Sequence, residues 1–360
     1  MKIFKNIFNK IISLDNLFLV WAEFCKNKQK KPDVQKFEYF LEQNIFVLYR
    51  QLSGLNYQHD SYKRFHIYDP KYRIIHKATV KDRLVHHLVF KELCQVFEPI
   101  FIHHSYSSRI GKGVHLALNN LAISLSRVSR NYTQNAFILK CDIKQFFHSV
   151  SHQKLFAIIK QKVKDEKFLW LIKEIISSFN STGDNFLQRE LNGITGIKNR
   201  IGIPIGNVTS QIFANIYLNE FDWFIKKELK IKHYFRYADD FVIIHHNPAY
   251  LEEIIYQIKN FLTVQLALEL HSQKIQIRKF RQGIDFLGYV ILPHYLLLRT
   301  RTERRIFIKI KKRIKEFKTG IISQQTLEQS LQSYLGVLSH GNCHQLSEEL
   351  KNKFWFWLNG

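Results

Sequence analysis

Apolar positions at helical spacing open the chain. Ile3, Phe4, Ile7, Phe8, Ile11 and Ile12 recur three and four residues apart, which predicts an amphipathic helix that docks on the protein or on a partner. The same period continues through residues 1–60, with a Lys-rich break around Lys26–Lys31. Residues 61–80 read as short, extended and basic. Residues 82–98 (DRLVHHLVFKELCQVFE) return to a helical period and stop at Pro99, where a proline cannot continue the ladder. A turn region with Gly111 and Gly113 precedes another helix, predicted over residues 114–130.

Then the period changes. NAFILKCDI is a short apolar run that ends in an acid, which by length and flanks predicts a buried strand. Residues 151–180 return to helix, and a long helix is predicted from Gly206 to about Lys230, after Pro204. HYFRYADDFVIIHH reads as strand, tight turn, strand. An amphipathic helix over 249–270 follows, then strands over 274–279 and 285–291, then a helical and strongly basic tail from Arg299. These elements predict an α+β fold: a mixed or antiparallel sheet with helices on one face and an all-helical C-terminal unit. There are no tandem repeats, and with only 6 Pro no linker separates independent units.

Composition narrows the partners. The chain has 360 residues, 46% of them hydrophobic, enough for a real core. Lys and Arg number 54 against 30 Asp and Glu, a net charge of +24 that calls for a polyanionic partner. RNA or DNA is the first choice and an anionic membrane surface the second. Richness in Ile, Lys, Asn and Phe, which an AT-rich genome also produces, discounts the charge somewhat. Cys25, Cys94, Cys141 and Cys343 lie far apart with no C-x-x-C pair, which argues against a zinc ribbon or a disulfide framework and fits a reducing cytoplasm. The pairs His86-His87, His103-His104 and His245-His246 do not share a helix face or an H-E-x-x-H frame, so they read as ordinary histidines. The N-terminus imitates a signal peptide, but Asp15 and Asn16 break its apolar stretch. No apolar run is long enough to span a bilayer.

Two predicted strands carry acids that a sheet would bring together. Asp142 ends FILKCD, and Asp239 and Asp240 sit at the turn of YFRYADDFVII, with apolar residues on both sides. Acids in such surroundings are costly without a cation or a hydrogen-bond network. A pair of Mg²⁺ ions about 3.5–4 Å apart would compensate them and support an in-line displacement. Asp is also common in hairpin turns, so the Asp-Asp pair alone does not decide.

YADD between two apolar strands, preceded by CDIKQFFHSV and followed by FLGYVI, resembles the palm of reverse transcriptases of the bacterial retroelement class. The resemblance runs from about Tyr68 to His344 in the family's order. It implies a right-hand polymerase of fingers, palm and thumb: an N-terminal helical extension over 1–60, fingers over 61–140, a palm over 141–294 with a finger segment at about 181–205, and a helical thumb over 295–360. Asp142, Asp239 and Asp240 fall on the family's metal-binding acids, with the main chain near Ile143 as a further ligand. The implied cofactor is two Mg²⁺, with Mn²⁺ as a substitute. Phe147 falls on the position that stacks under the incoming sugar, where a bulky ring excludes a 2′-hydroxyl. FLGYVI resembles the primer grip, and Lys274 the lysine near the nucleotide's phosphates. In the basic segment KYRIIHKATVKDRLVHH, Arg73 and Arg83 would hold the triphosphate of a deoxynucleotide, while Lys71 reads equally well as a solvated charge. Arg301, Arg304, Arg305 and Lys309 of the tail would hold the RNA–DNA duplex.

The subclass rests on the segment Ile205-Gly206-Asn207-Val208-Thr209-Ser210-Gln211, whose Ile205, Gly206 and Gln211 would border the nucleotide. Group II intron enzymes typically read Q-G-x-x-x-S-P there. Ile in place of Gln, and Ser-Gln in place of Ser-Pro, resemble reverse transcriptases of diversity-generating retroelements. DRLVHHLVF, HSYSSRIGKGVHLAL and SYLGVLSHGNCHQL resemble the same family. The expected absence of a maturase, endonuclease or integrase segment suits an enzyme that copies a dedicated RNA. The resemblance implies a template-repeat RNA misread at its adenines, a small helical ring-forming accessory protein, no membrane, and a cytoplasmic location for a bacterial, archaeal or phage-encoded protein. Other readings are an antiphage defence reverse transcriptase, a group II intron-like enzyme with another template, a non-catalytic RNA-binding module and a membrane-surface protein.

Overall fold

The computed structural model describes residues 4, 6–69, 71–181 and 200–359. Four helices come first: α1 (Phe8–Ile11), α2 (Leu14–Cys25), α3 (Pro32–Tyr39) and α4 (Leu41–Ser53). The expected amphipathic helix begins only at Phe8. Asn6 takes a left-handed φ of 56°, and Phe4 lies extended beside Val163 in a parallel bridge. Ile7, Phe8, Ile11 and Ile12 are buried, so this apolar face docks on the protein itself. Asp165 fixes the helix start by accepting from the Ile7 and Phe8 amides at 2.6 and 2.9 Å.

The basic extended region is a hairpin, β1 (Lys63–Ile67) with β2 (Arg73–Lys77). Thr79 then caps α5 (Val80–Phe97) by accepting from the Asp82 amide. α6 (Val114–Val128) follows, then β3 (Phe137–Asp142), the short α7 (Phe146–Ser149), α8 (His152–Lys162) and α9 (Glu166–Ser177). The helical stretch expected over 151–180 is therefore two helices, each started by its own side-chain cap, Ser151 and Asp165. Most of the finger segment expected at about 181–205 lies outside the described residues. α10 (Val208–Trp223) runs into a short π-helical turn, Phe224–Glu228. The remaining elements are β4 (Tyr234–Tyr237), β5 (Asp240–His245), α11 (Pro248–Leu266), β6 (Gln276–Lys279), β7 (Ile284–Phe286), β8 (Tyr289–Leu292), β9 (Tyr295–Leu298), α12 (Thr300–Lys318), α13 (Gln324–Leu338) and α14 (His344–Asn359).

The central sheet has the order β4-β5-β3-β6, and every pairing is antiparallel. Alternation along β3 and β5 sorts the core. Leu139, Cys141, Phe241 and Ile243 pack with the long helices on one side. The opposite side is not bare: Ile138, Val242 and Ile244 join α6, the sheet β7-β8-β9 and the C-terminal helices in a second core.

The strand expected over 285–291 folds back on itself. Phe286 pairs with Tyr289 across a two-residue turn in which Leu287 (φ 51°) and Gly288 (φ 90°) are both left-handed. A tight hairpin needs that backbone, and only the glycine advertises it. β9 is a strand at the start of the region expected to be a helical thumb, and it completes the small sheet by pairing with β8. In α12, Ile306, Ile310 and Ile314 form the buried stripe, leaving the basic residues outward. Among the described residues no helix is long and apolar enough to cross a membrane.

Candidate active site

Register brings the acids together. Asp142, the last residue of β3, is the cross-strand partner of Asp240, the first residue of β5. By alternation both lie on the sheet face of Lys140 and Val242, towards the second core. The Asp142 carboxyl is close enough to that of Asp240 to act on its protonation. Asp239 occupies the two-residue turn between β4 and β5, and its carbonyl accepts from the Ile143 amide at 3.3 Å, joining the turn to the end of β3.

The electrostatics follow from this crowding. Burial pushes the Asp240 carboxyl up to about 7; Lys140 pulls it down, and Asp142 and Asp239 push it up again. Burial also raises Asp239, aided by Asp142 and opposed by Lys274 and Arg73. Lys274 Nζ lies 2.9 Å from Asp142 Oδ1 and already balances that charge. Among the described residues no three carboxylate, imidazole or thiol groups form a ready-made cage for one ion. Hard oxygen donors with uncompensated charge nevertheless fit Mg²⁺, which takes one or two carboxylates and completes its shell with substrate phosphates.

The turn is held by a residue that no sequence motif singles out. Arg236 is fully buried, and its Nε and Nη2 donate to Asp222 at 2.7 and 2.6 Å. Its Nη1 donates to the Ala238 carbonyl at 3.1 Å, inside the YADD turn. Ala238 needs such support, because its φ of 53° is left-handed, a conformation costing a non-glycine residue roughly 1–2 kcal/mol. An arginine in the middle of an apolar strand is the signal that could have found it. Lys140, which reaches the Asp285 carbonyl at 2.6 Å, carries the same signal in β3.

The fingers hairpin stands against the segment before α10. His76 donates its amide to the Ile205 carbonyl at 2.9 Å, and Asn207 Nδ2 donates to the His76 carbonyl at 2.8 Å. Gly206 has a φ of 118°, and a Cβ there would lie 2.6 Å from Ile75 Cγ2, so the close approach requires glycine. Phe147 is half-buried beside the fully buried Phe146, and its carbonyl accepts from Ile203 at 2.7 Å. Arg73 and Gln211 are exposed, and Arg73 is close enough to act on Asp239. Arg83 pairs with Asp33 of α3 and lies over the Phe24 ring.

Arg301, Arg304 and Arg305 line a cleft of about 530 Å³ with Asp69 of the β1–β2 turn. Lys309 is ion-paired with Asp69, linking the fingers hairpin to α12.

An antiparallel sheet with an acidic hairpin, flanked by a basic fingers hairpin and a basic helix, is the fold of a right-hand polymerase. The model of the reverse transcriptase (RNA-dependent DNA polymerase) family matches residues 65–291, and the chain belongs to that family. It is similar to the group II intron-encoded protein LtrA of Lactococcus lactis subsp. cremoris, 24% identical over 319 residues, covering 70% of this chain and 50% of LtrA. Protein YkfC of Escherichia coli (strain K12) is 25% identical over 254 residues, covering 62% of this chain and 64% of YkfC. A 91 kDa protein in the cob intron of Schizosaccharomyces pombe is 30% identical over 149 residues, 41% of this chain and 16% of that protein. The chain thus spans less than two thirds of the length of each of these relatives.

Proposed function

We propose that the protein is an RNA-directed DNA polymerase that extends a primer 3′-end with deoxynucleotides at Asp142, Asp239 and Asp240. The observation that carries this is the Asp142–Asp240 register, with Asp239 on the adjoining turn and burial raising both hairpin acids. These carboxylates would hold two Mg²⁺ or Mn²⁺ ions, which when bound activate the 3′-oxygen and stabilise the leaving pyrophosphate. Within the chain, Arg73 and Lys274 would meet the triphosphate, Phe147 would exclude a 2′-hydroxyl, and Ile205, Gly206 and Gln211 would border the nascent pair. Arg301, Arg304, Arg305 and Lys309 would grip the template–primer backbone once Lys309 leaves Asp69. Extension of a DNA primer on an RNA template by the purified protein tests the reading; no incorporation with either metal would contradict it.

We further propose the diversity-generating subclass, supported by Ile205 and by the segments that resemble that family. The template would be a repeat RNA copied with errors at adenine, and a small helical ring-forming protein would assist. Ile205 cannot offer the hydrogen bond that a Gln offers there, so discrimination would fall by a few-fold to about tenfold. Sequencing cDNA made by Ile205→Gln tests this, and unchanged errors opposite adenine would remove Ile205 from the account. The similarity to LtrA favours a second reading, a group II intron-type enzyme with another template. Flanking DNA with a near-repeat differing only at adenines would decide between them.

A further inference from the structure

The end of the central sheet away from the acids opens on a cavity of about 590 Å³. Five steps of β5 separate Asp240 from His245 at the cavity wall, roughly 17 Å at about 3.3 Å per residue. The cavity therefore belongs neither to the nucleotide site nor to the cleft between the fingers hairpin and α12.

Its lining is one-signed. Arg127, Arg130, Lys230 and Lys232 are exposed, and among the described residues no carboxylate lines the cavity. Some exposed cations elsewhere have acids beside them, as Lys144 has Glu269, Arg313 has Glu316 and Lys353 has Glu349. The four around the cavity have no such partner among the described residues. Three separate pieces of chain deliver them: the end of α6, the turn after it, and the connection from the π-helical turn to β4. Their charges converge, since burial first and then Lys226, Arg127 and Lys232 lower the His233 pKa.

The local backbone is built to hold this arrangement. Arg130, Asn131 and Tyr132 have φ values of 47°, 53° and 69°, three successive left-handed residues without a glycine. Ser129 Oγ accepts from the Tyr132 amide at 3.1 Å, and the Asn131 amide donates to the Ser126 carbonyl at 2.8 Å. Beside the cations, the His245 and Tyr250 rings meet at 4.4 Å and present aromatic surface to the cavity.

Cations without counter-charges beside aromatic rings are the combination that binds single-stranded nucleic acid: phosphates take the charge and a base takes the ring. A concave site of this volume has room for one or two nucleotides of a single strand. We propose that this cavity binds a single-stranded RNA segment of the template molecule, outside the stretch being copied. The choice of RNA as occupant rests on the RNA-directed reading of the active site; the polyanion site itself does not.

The test uses the whole chain with its cleft filled by excess unlabelled RNA–DNA hybrid carrying a non-extendable 3′-end. A labelled oligouridylate of about twelve nucleotides, within the range of known single-strand sites, is then titrated at several salt concentrations. The parent is expected to bind it, and Arg130→Glu/Lys230→Glu/Lys232→Glu to bind at least tenfold more weakly. The variant's dependence of log affinity on log salt should be shallower by about two, because each phosphate no longer neutralised removes roughly 0.7 from the slope. It should extend a short primer–template at the parent's rate and melt at the parent's temperature. Equal oligouridylate binding by parent and variant would overturn the proposal, as would displacement of the oligomer from the parent by the hybrid. Loss of binding to anionic phosphatidylserine vesicles with unchanged oligouridylate binding would overturn it too. A parent that extends no primer but loses oligouridylate binding on substitution would keep the cavity and remove the catalytic reading instead.

Discussion

Replacing Arg236 with Met separates two tasks that the residue performs. The side chain is fully buried, and three of its hydrogen bonds go to Asp222 and Ser105 at 2.6–3.0 Å. Without it the buried Asp222 carboxylate keeps the Tyr234 hydroxyl at 2.7 Å but no counter-charge. Breaking a buried pair on one side costs about 3–5 kcal/mol, a large share of a typical stability of about 5–15 kcal/mol. Arg236→Met/Asp222→Leu removes both charges and is expected to recover at least half of that loss, with the Tyr234, Ser105 and Asn215 groups left unsatisfied. The other task is not recovered. The Ala238 carbonyl loses its donor in both variants, and the left-handed turn that carries Asp239 is free to relax. A misplacement of about 1 Å at a reacting centre costs on the order of a hundredfold in rate. Urea unfolding should therefore show a large loss and partial recovery, while primer extension stays down by about 10- to 100-fold in both variants. A loss below about 1 kcal/mol in the single variant, or full recovery of extension in the double one, would refute this reasoning.

Phe147→Ala should let ribonucleotides compete with deoxynucleotides, because a half-buried ring is replaced by open space; unchanged sugar selection in extension assays would relieve Phe147 of that role. Reversing the charges of Arg301, Arg304 and Arg305 should weaken duplex binding and flatten its salt dependence by about two to three in log–log slope, as three phosphates go without their cations. His152 supplies a pH test: burial pushes its pKa from 6.5 down to about 4, with Nε2 donating to the Gly202 carbonyl at 2.6 Å. The folded value lies below the unfolded one, so this contribution is complete above about pH 6.5 and is lost as pH falls towards 4. The loss amounts to about 2 kcal/mol by pH 5, and His152→Gln should remove that part of the slope in urea unfolding.

The sequence announces the central strands because their chemistry is local. FILKCD and FVIIH are apolar runs whose length and flanks leave little choice, and the acids at their ends mark the site. What it hides depends on contacts distant in sequence. Leu287 looks like a strand residue, yet the pairing of Phe286 with Tyr289 forces it into a turn. Phe4 fits a helical period, but Lys162 and Lys164 offer it backbone hydrogen bonds and hold it extended. Arg83 sits in a basic segment that invites phosphate, while Asp33, fifty residues away, takes its charge. Nothing local to Arg236 says that Asp222 lies beside it.

The most direct measurement of the central claim is single-nucleotide extension by Asp239→Asn on an RNA template at saturating Mg²⁺. Removing one carboxylate charge should forfeit most of the several kcal/mol that metal-assisted stabilisation supplies, a fall of at least about a thousandfold. Folding and RNA binding should match the parent. A variant that folds, binds RNA and extends the primer near the parent's rate would contradict the assignment of the acids.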